Sequence, residues 1–143
     1  MVDRATASIT IDATRDEVLA VIADFDAYPQ WAGGIKRAQI LETGEDGRAT
    51  LVAFGLDAGI IKDEYTLAYD WDESGVSWHL IEAKAQKHQE GSYRLATGAG
   101  GRTEVVYELE IETSMPIPGL IKRKAQGTIM DTALKGLKKR VER

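Results

Sequence analysis

Residues 118–143 constrain the fold of this chain more than any other stretch. Pro118-Gly119 opens it, and no further proline follows. From Gly127 onward the apolar residues Met130, Leu134, Leu137 and Val141 recur at steps of three and four, drawing one stripe along a helix. Ile129 and Ala133 widen that stripe. A helix of about 25 residues is about 37 Å long at 1.5 Å per residue, enough to cross a small domain. No other stretch carries a helical pattern of this length, and most of what precedes it reads as strand. The simplest architecture is a sheet closing around one helix. Within that helix, the half around residues 127–130, with small Ala125 and Gly127, should leave room beside the helix. The half at 134–141 reads as the anchor that packs the core.

Ahead of the helix the chain changes period. Ala5-Thr6-Ala7-Ser8-Ile9-Thr10-Ile11 alternates apolar with polar, the pattern of a half-buried strand. Thr14-Arg15-Asp16-Glu17 then forms a capping box, and Val18, Val21, Ile22 and Phe25 give a helical stripe after it. Pro29 bars that helix from continuing, because the residue before a proline is pushed out of the α region. Residues 26–31 should therefore make a turn and a second short helix, ended by Gly33-Gly34. Six strands are predicted next, at 35–42, 48–56, 60–71, 76–83, 87–95 and 103–112. Asp46-Gly47, Asp57-Ala58-Gly59, Asp72-Glu73-Ser74-Gly75 and Gly98-Ala99-Gly100-Gly101 supply turn signals between strands. In the last strand Val105, Tyr107, Leu109 and Ile111 share one face, and Glu104, Glu108 and Glu110 the other, as a sheet with one wet face requires. The expected class is α+β: a curved antiparallel sheet of about seven strands, in the order β-α-α-β6-α, gripping the C-terminal helix.

Composition narrows the functions open to such a chain. At 143 residues it suits one domain, 1–143, with a single core. It has no cysteine and two histidines, His79 and His88, which argues against a transition-metal centre, and no cofactor is expected. There is no apolar run long enough to span a membrane and no secretory pattern at Met1-Val2-Asp3-Arg4, so integral membrane association is not expected and a cytoplasmic protein is. The net charge of −5 divides unevenly: residues 117–143 carry eight Lys and Arg against Asp131 and Glu142, leaving the rest strongly acidic. Lys135, Lys138 and Lys139 could dock an acidic partner, or could simply form a solvated face near the helix C-terminus. Nucleic acid is not an expected partner of an acidic domain. A homodimer is left open.

Three passages resemble a known family. They are residues 18–31 with their Tyr28-Pro29-Gln30-Trp31 group, then Gly91-Ser92-Tyr93-Arg94-Leu95 followed by Gly101-Arg102-Thr103-Glu104-Val105-Val106-Tyr107. The third runs from Pro116-Ile117-Pro118-Gly119 through Lys122-Arg123-Lys124 to Leu134-Lys135-Gly136-Leu137. Together they resemble the SRPBCC superfamily, the START-related helix-grip proteins. The likeness is greatest to its polyketide cyclase/dehydrase and lipid-transport branch of small actinobacterial type, and it covers essentially the whole chain. The resemblance implies a cavity between sheet and last helix holding a small hydrophobic, aromatic or lipid ligand.

Strand parity offers wall residues for that cavity: Asp63, Tyr65, Leu67, Tyr69, Trp78, Tyr93 and Tyr107, with Ile61 before them. Trp31 could gate its mouth or clamp the short helices to the sheet, and Gln126, Ile129 and Met130 would face it from the helix. Asp63 and Tyr65 are the candidate catalytic pair, since a carboxylate in an apolar cavity can act as general acid or base. The alternative for Asp63 is a structural one, at the rim and paired with Lys62 or Lys87. Cyclases of the resembled family use an arginine and a hydroxyl on the central strands; the corresponding positions here are Tyr65 and Leu67, with no arginine. His79 should point outward, and His88 also reads as a surface residue. Three functions remain: a carrier or sensor of a small hydrophobic molecule, a polyketide cyclase/dehydrase-like enzyme, and an interaction module using the basic helix.

Overall fold

The computed structural model describes residues 3–57, 59 and 62–142. In chain order these form β1 (Asp3–Ile11), α1 (Arg15–Ala23), a 3-10 turn (Phe25–Ala27), α2 (Tyr28–Trp31), β2 (Ile35–Thr43), β3 (Ala49–Asp57), β4 (Lys62–Asp72), β5 (Gly75–Ala83), β6 (Gln86–Thr97), β7 (Thr103–Thr113) and α3 (Gly119–Glu142). The seven strands make one antiparallel sheet in the order β1-β7-β6-β5-β4-β3-β2, the helix-grip arrangement. First and last strands pair, so β1 and β2 become the two edges, and α1 and α2 carry the chain between them.

Local chemistry explains the elements. Thr14 Oγ1 accepts from Glu17 N at 3.2 Å, while Thr14 N donates to Glu17 Oε1 at 3.1 Å, closing the capping box that starts α1. Pro29 sits in the first turn of α2, where its missing N–H costs nothing. Alternation sets the sheet faces: Asp63, Tyr65, Leu67 and Tyr69 are buried in β4, and Thr103, Val105, Tyr107 and Leu109 in β7. Ile60 and Ile61, expected to open the strand that forms β4, lie outside the described residues.

α3 buries Met130, Ala133, Leu134 and Leu137, with Val141 packed at the edge, as the apolar spacing predicts. The buried stripe begins earlier than that spacing suggests, with Lys122 and Gln126. The later half is held firmly. It packs on β1, α1 and α2, Lys138 Nζ donates to Thr10 O at 2.9 Å, and Asp12 N donates to Glu142 Oε2 at 2.8 Å. Gly136 is obligatory to this contact: any Cβ there would overlap the Trp31 carbonyl. Gly127 differs from expectation. It is exposed, with nothing within 4 Å of where its Cβ would lie, so it faces solvent and leaves no room toward the sheet.

Candidate ligand cavity

Between the concave face of the sheet and α3 lies a cavity of about 80 Å³. All five tyrosines of the chain, Tyr28, Tyr65, Tyr69, Tyr93 and Tyr107, line it. Phe54, Leu67, Trp78 and Leu109, with Gln86 and Gln89, belong to the buried part of the wall, and half-buried Ile35, Leu56, Ile111, Thr113 and Ile129 mark its rim. The rings form one chain of contacts. Tyr93 and Tyr107 have centroids 4.7 Å apart, Trp78 lies 5.4 Å from Tyr93 and 5.8 Å from Tyr69, and Phe54 lies 5.5 Å from Tyr65. Tilted packing of this kind adds to the stabilisation that burial alone gives.

The described lining contains no Asp, Glu, Lys, Arg or His. Burial pushes the hydroxyls of Tyr28, Tyr65, Tyr69, Tyr93 and Tyr107 well above the ordinary tyrosine range, and for all except Tyr107 the neighbouring hydroxyls reinforce the shift. These groups stay neutral at pH 7 and can donate hydrogen bonds, but they cannot serve as phenolate bases. Tyr28 donates to Ile22 O at 2.5 Å. Among the described residues the other four hydroxyls have no protein acceptor, so they remain open to a ligand or water.

Asp63 has a different position from the one its parity suggests. It is buried but stands outside the lining. Its Oδ1 accepts from Glu64 N at 2.8 Å, Lys84 N at 3.0 Å and Ala85 N at 2.8 Å, and its Oδ2 accepts from Gln86 Nε2 at 2.8 Å. The carboxylate thus ties β4 to the β5–β6 turn. It is a structural anion, though with backbone and Gln86 partners in place of the rim lysines anticipated. Trp31 is buried against Tyr28, with centroids 4.8 Å apart, and does not reach the cavity. Met130 is core, and Gln126 Nε2 donates to Leu109 O at 2.8 Å; neither lines the cavity, whereas Ile129 does.

Sequence reasoning overlooked several wall residues. Phe54 and Leu56 belong to a strand whose inward parity was not followed. Counting back from Tyr93 places Gln89 on the inner face. No count finds Gln86, because a bulge between Gln86 and His88 breaks the alternation. On the outer face, His79 is exposed and His88 half-buried. There His88, Glu90 and Glu110 approach one another, and Arg4 Nε donates to Glu110 Oε1 at 2.6 Å, making the cluster an ion-pair network. The basic face of α3 is partly engaged too: Lys138 holds Thr10 O and Glu142, and Lys135 pairs with Asp131 at 3.0 Å.

A curved antiparallel sheet wrapped on a C-terminal helix, with an aromatic cavity between them, defines a START-related helix-grip protein. More specifically, the chain belongs to the polyketide cyclase/dehydrase and lipid transport family, whose sequence profile matches residues 3–142. A START superfamily protein from Mycobacterium smegmatis superposes with a TM-score of 0.89 at 23% identity, over 97% of each chain. The Zhui aromatase/cyclase of a Streptomyces species gives 0.85 at 19% identity, over 100% of this chain and 95% of the other. A major latex-like protein from Panax ginseng gives 0.73 at 14% identity, over 97% of each. At these identities the likeness is one of fold. A comparison with curated protein sequences finds no match. Among the described residues no helix is long and apolar enough to cross a membrane.

Proposed function

We propose that this chain binds a small hydrophobic or aromatic molecule in the cavity between sheet and α3, as a carrier or sensor. The observation that carries this reading is a cavity whose described lining is free of charged side chains and includes every tyrosine of the chain. Apolar burial would supply most of the affinity, at about 25 cal/mol per Å² before association costs. Tyr65, Tyr93 and Tyr107 would hold the polar atoms, with Leu67, Trp78 and Ile129 against the apolar body. Asp63, Trp31, Gln126 and Met130 are not part of the proposed contact surface, because none of them reaches the wall. A cavity of about 80 Å³ is smaller than one of about 150 Å³ known to accept benzene, so binding requires the wall to open. Native mass spectrometry of protein purified from its own host tests the reading. A co-purifying neutral hydrophobe supports it, and a chain that carries none and takes up none of a panel of aromatic probes overturns it.

A cyclase/dehydrase-like activity is the second reading, favoured by one observation: the Tyr65 hydroxyl is on the cavity wall, neutral and without a protein acceptor. Such a group could donate to a developing enolate oxygen. Among the described residues no carboxylate or histidine lines the cavity to take up a proton, which places this reading second. Turnover of a poly-keto substrate that survives Tyr65→Phe unchanged would remove it.

A further inference from the structure

Gln86 and Gln89 are both more than nine-tenths buried, both line the cavity, and each has an amide oxygen with no hydrogen-bond partner. An unsatisfied buried acceptor is costly and rare, so two on one wall require a reason. The orientation of Gln86 is not arbitrary. Asp63 Oδ2 can only accept, so the amide nitrogen must face it, and the oxygen is turned elsewhere. Along the inner face of β6 follow Gly91, with the Trp78 indole lying over it, and Tyr93. Trp78 Nε1 is itself a buried donor without a partner. β6 and the Trp78 indole of β5 therefore present a row of polar atoms on an otherwise apolar wall: two orphan acceptors, then one orphan donor, then a tyrosine hydroxyl.

From this row we infer that the cavity takes a neutral hydroxyl-bearing hydrophobe, an alcohol or phenol, whose single O–H is shared between the amide oxygens of Gln86 and Gln89 as a three-centre hydrogen bond. The inference rests on the cavity being a ligand site, as proposed above. A hydroxyl suits the row because it both donates to the glutamines and accepts from Trp78 Nε1 or a tyrosine. A carboxylate does not. It has no proton to give these acceptors, no cation among the described residues lines the cavity, and the Asp63 carboxyl group stands directly behind Gln86. An ether or hydrocarbon of the same shape leaves both acceptors unsatisfied. This specificity belongs to the β6 bulge, which turns Gln86 as well as Gln89 inward.

The test is calorimetric titration of the full chain at pH 7 with 2-naphthol, 2-methoxynaphthalene and 2-naphthoate. The methyl ether keeps the ring and the oxygen and removes only the donated proton. Expected is about tenfold tighter binding of the naphthol than of the ether, the size of one satisfied buried hydrogen bond, with the carboxylate weakest. Gln89→Leu should keep or raise the melting temperature, since it removes an orphan acceptor, while reducing the naphthol preference severalfold. Gln86→Met should reduce the same preference, and Gln89→Leu serves alone if loss of the Asp63 contact unfolds that variant. Equal binding of naphthol and ether by the wild-type chain overturns the inference and leaves the cavity reading standing, since water then serves the glutamines. A preference undiminished in Gln89→Leu overturns it as well. Failure of all three probes to bind overturns both readings together.

Discussion

Asp63 and Tyr65 are two positions apart on the same face of β4, and their neighbours give them opposite roles. The Asp63 carboxylate accepts from three backbone amides and the Gln86 side chain. Hydrogen bonds to a buried charge are each worth roughly 1.5–3 kcal/mol, and an asparagine could accept only part of this set while turning an N–H₂ toward donors. Asp63→Asn should therefore destabilise the fold by about 2–4 kcal/mol, read from the urea midpoint. A catalytic carboxylate would show the reverse pattern, losing turnover with stability kept. Tyr65 has no protein acceptor for its hydroxyl, so Tyr65→Phe should change stability by less than about 0.5 kcal/mol in the same assay, while weakening any ligand that accepts from it. The parity of β4 reveals that both residues face inward. Which one meets the cavity depends on the amides of Lys84 and Ala85, some twenty residues away in sequence, and no local pattern contains that.

At the level of elements, the two halves of α3 are held by different partners. Residues 133–142 are held by β1, α1 and α2 and by the Lys138 and Glu142 bonds to the end of β1. The earlier half buries Lys122 and Gln126, Gln126 Nε2 donates to Leu109 O on β7, and Ile129 reaches the cavity rim. Two glycines of this helix should respond in opposite directions. Gly127→Ala meets open space and replaces the weaker helix former, so it should stabilise by about 0.5–1 kcal/mol in thermal or urea unfolding. Gly136→Ala forces a methyl into the Trp31 carbonyl and should cost more than about 2 kcal/mol, because a backbone neighbour cannot rotate away. If a ligand opens the cavity by moving the earlier half of α3, hydrogen exchange should slow on binding across 119–130 and stay unchanged across 133–142. Uniform protection along the helix would count against this division.

For the whole molecule, charge and pH act at two separate places. On the surface, Glu142 is held below the ordinary glutamate range by the Asp12 amide and Lys138, and Glu110 by Arg4 and His88. A carboxylate with a lowered folded-state pKa stabilises the fold above its unfolded value, and this is lost as pH falls through the folded one. The melting temperature should thus decline as pH drops below about 4.5, and less steeply in Glu142→Gln. Inside, the five tyrosines have raised pKa values, which means that the folded state holds their protons more tightly than the unfolded chain does. Stability is unaffected below the unfolded tyrosine value and falls as pH rises beyond it, from about pH 10. Tyrosinate absorbance should appear together with unfolding rather than as a separate titration near pH 10.

The sequence alone determined the order of strands and helices, the buried face of most of them and the length of α3. Those properties are local: a period of two or of 3.6, a capping box or a turn residue acts over a few neighbours. It also revealed that Tyr65, Leu67, Trp78, Tyr93 and Tyr107 share an interior. Only the tertiary structure decided how that interior divides between wall and support. The β6 bulge turned Gln86 inward, the β5–β6 turn claimed Asp63, and the packing of α2 on Gly136 buried Trp31 away from the cavity. Each outcome depends on groups distant in the chain whose hydrogen bonds and contacts exist only once the sheet has closed on α3.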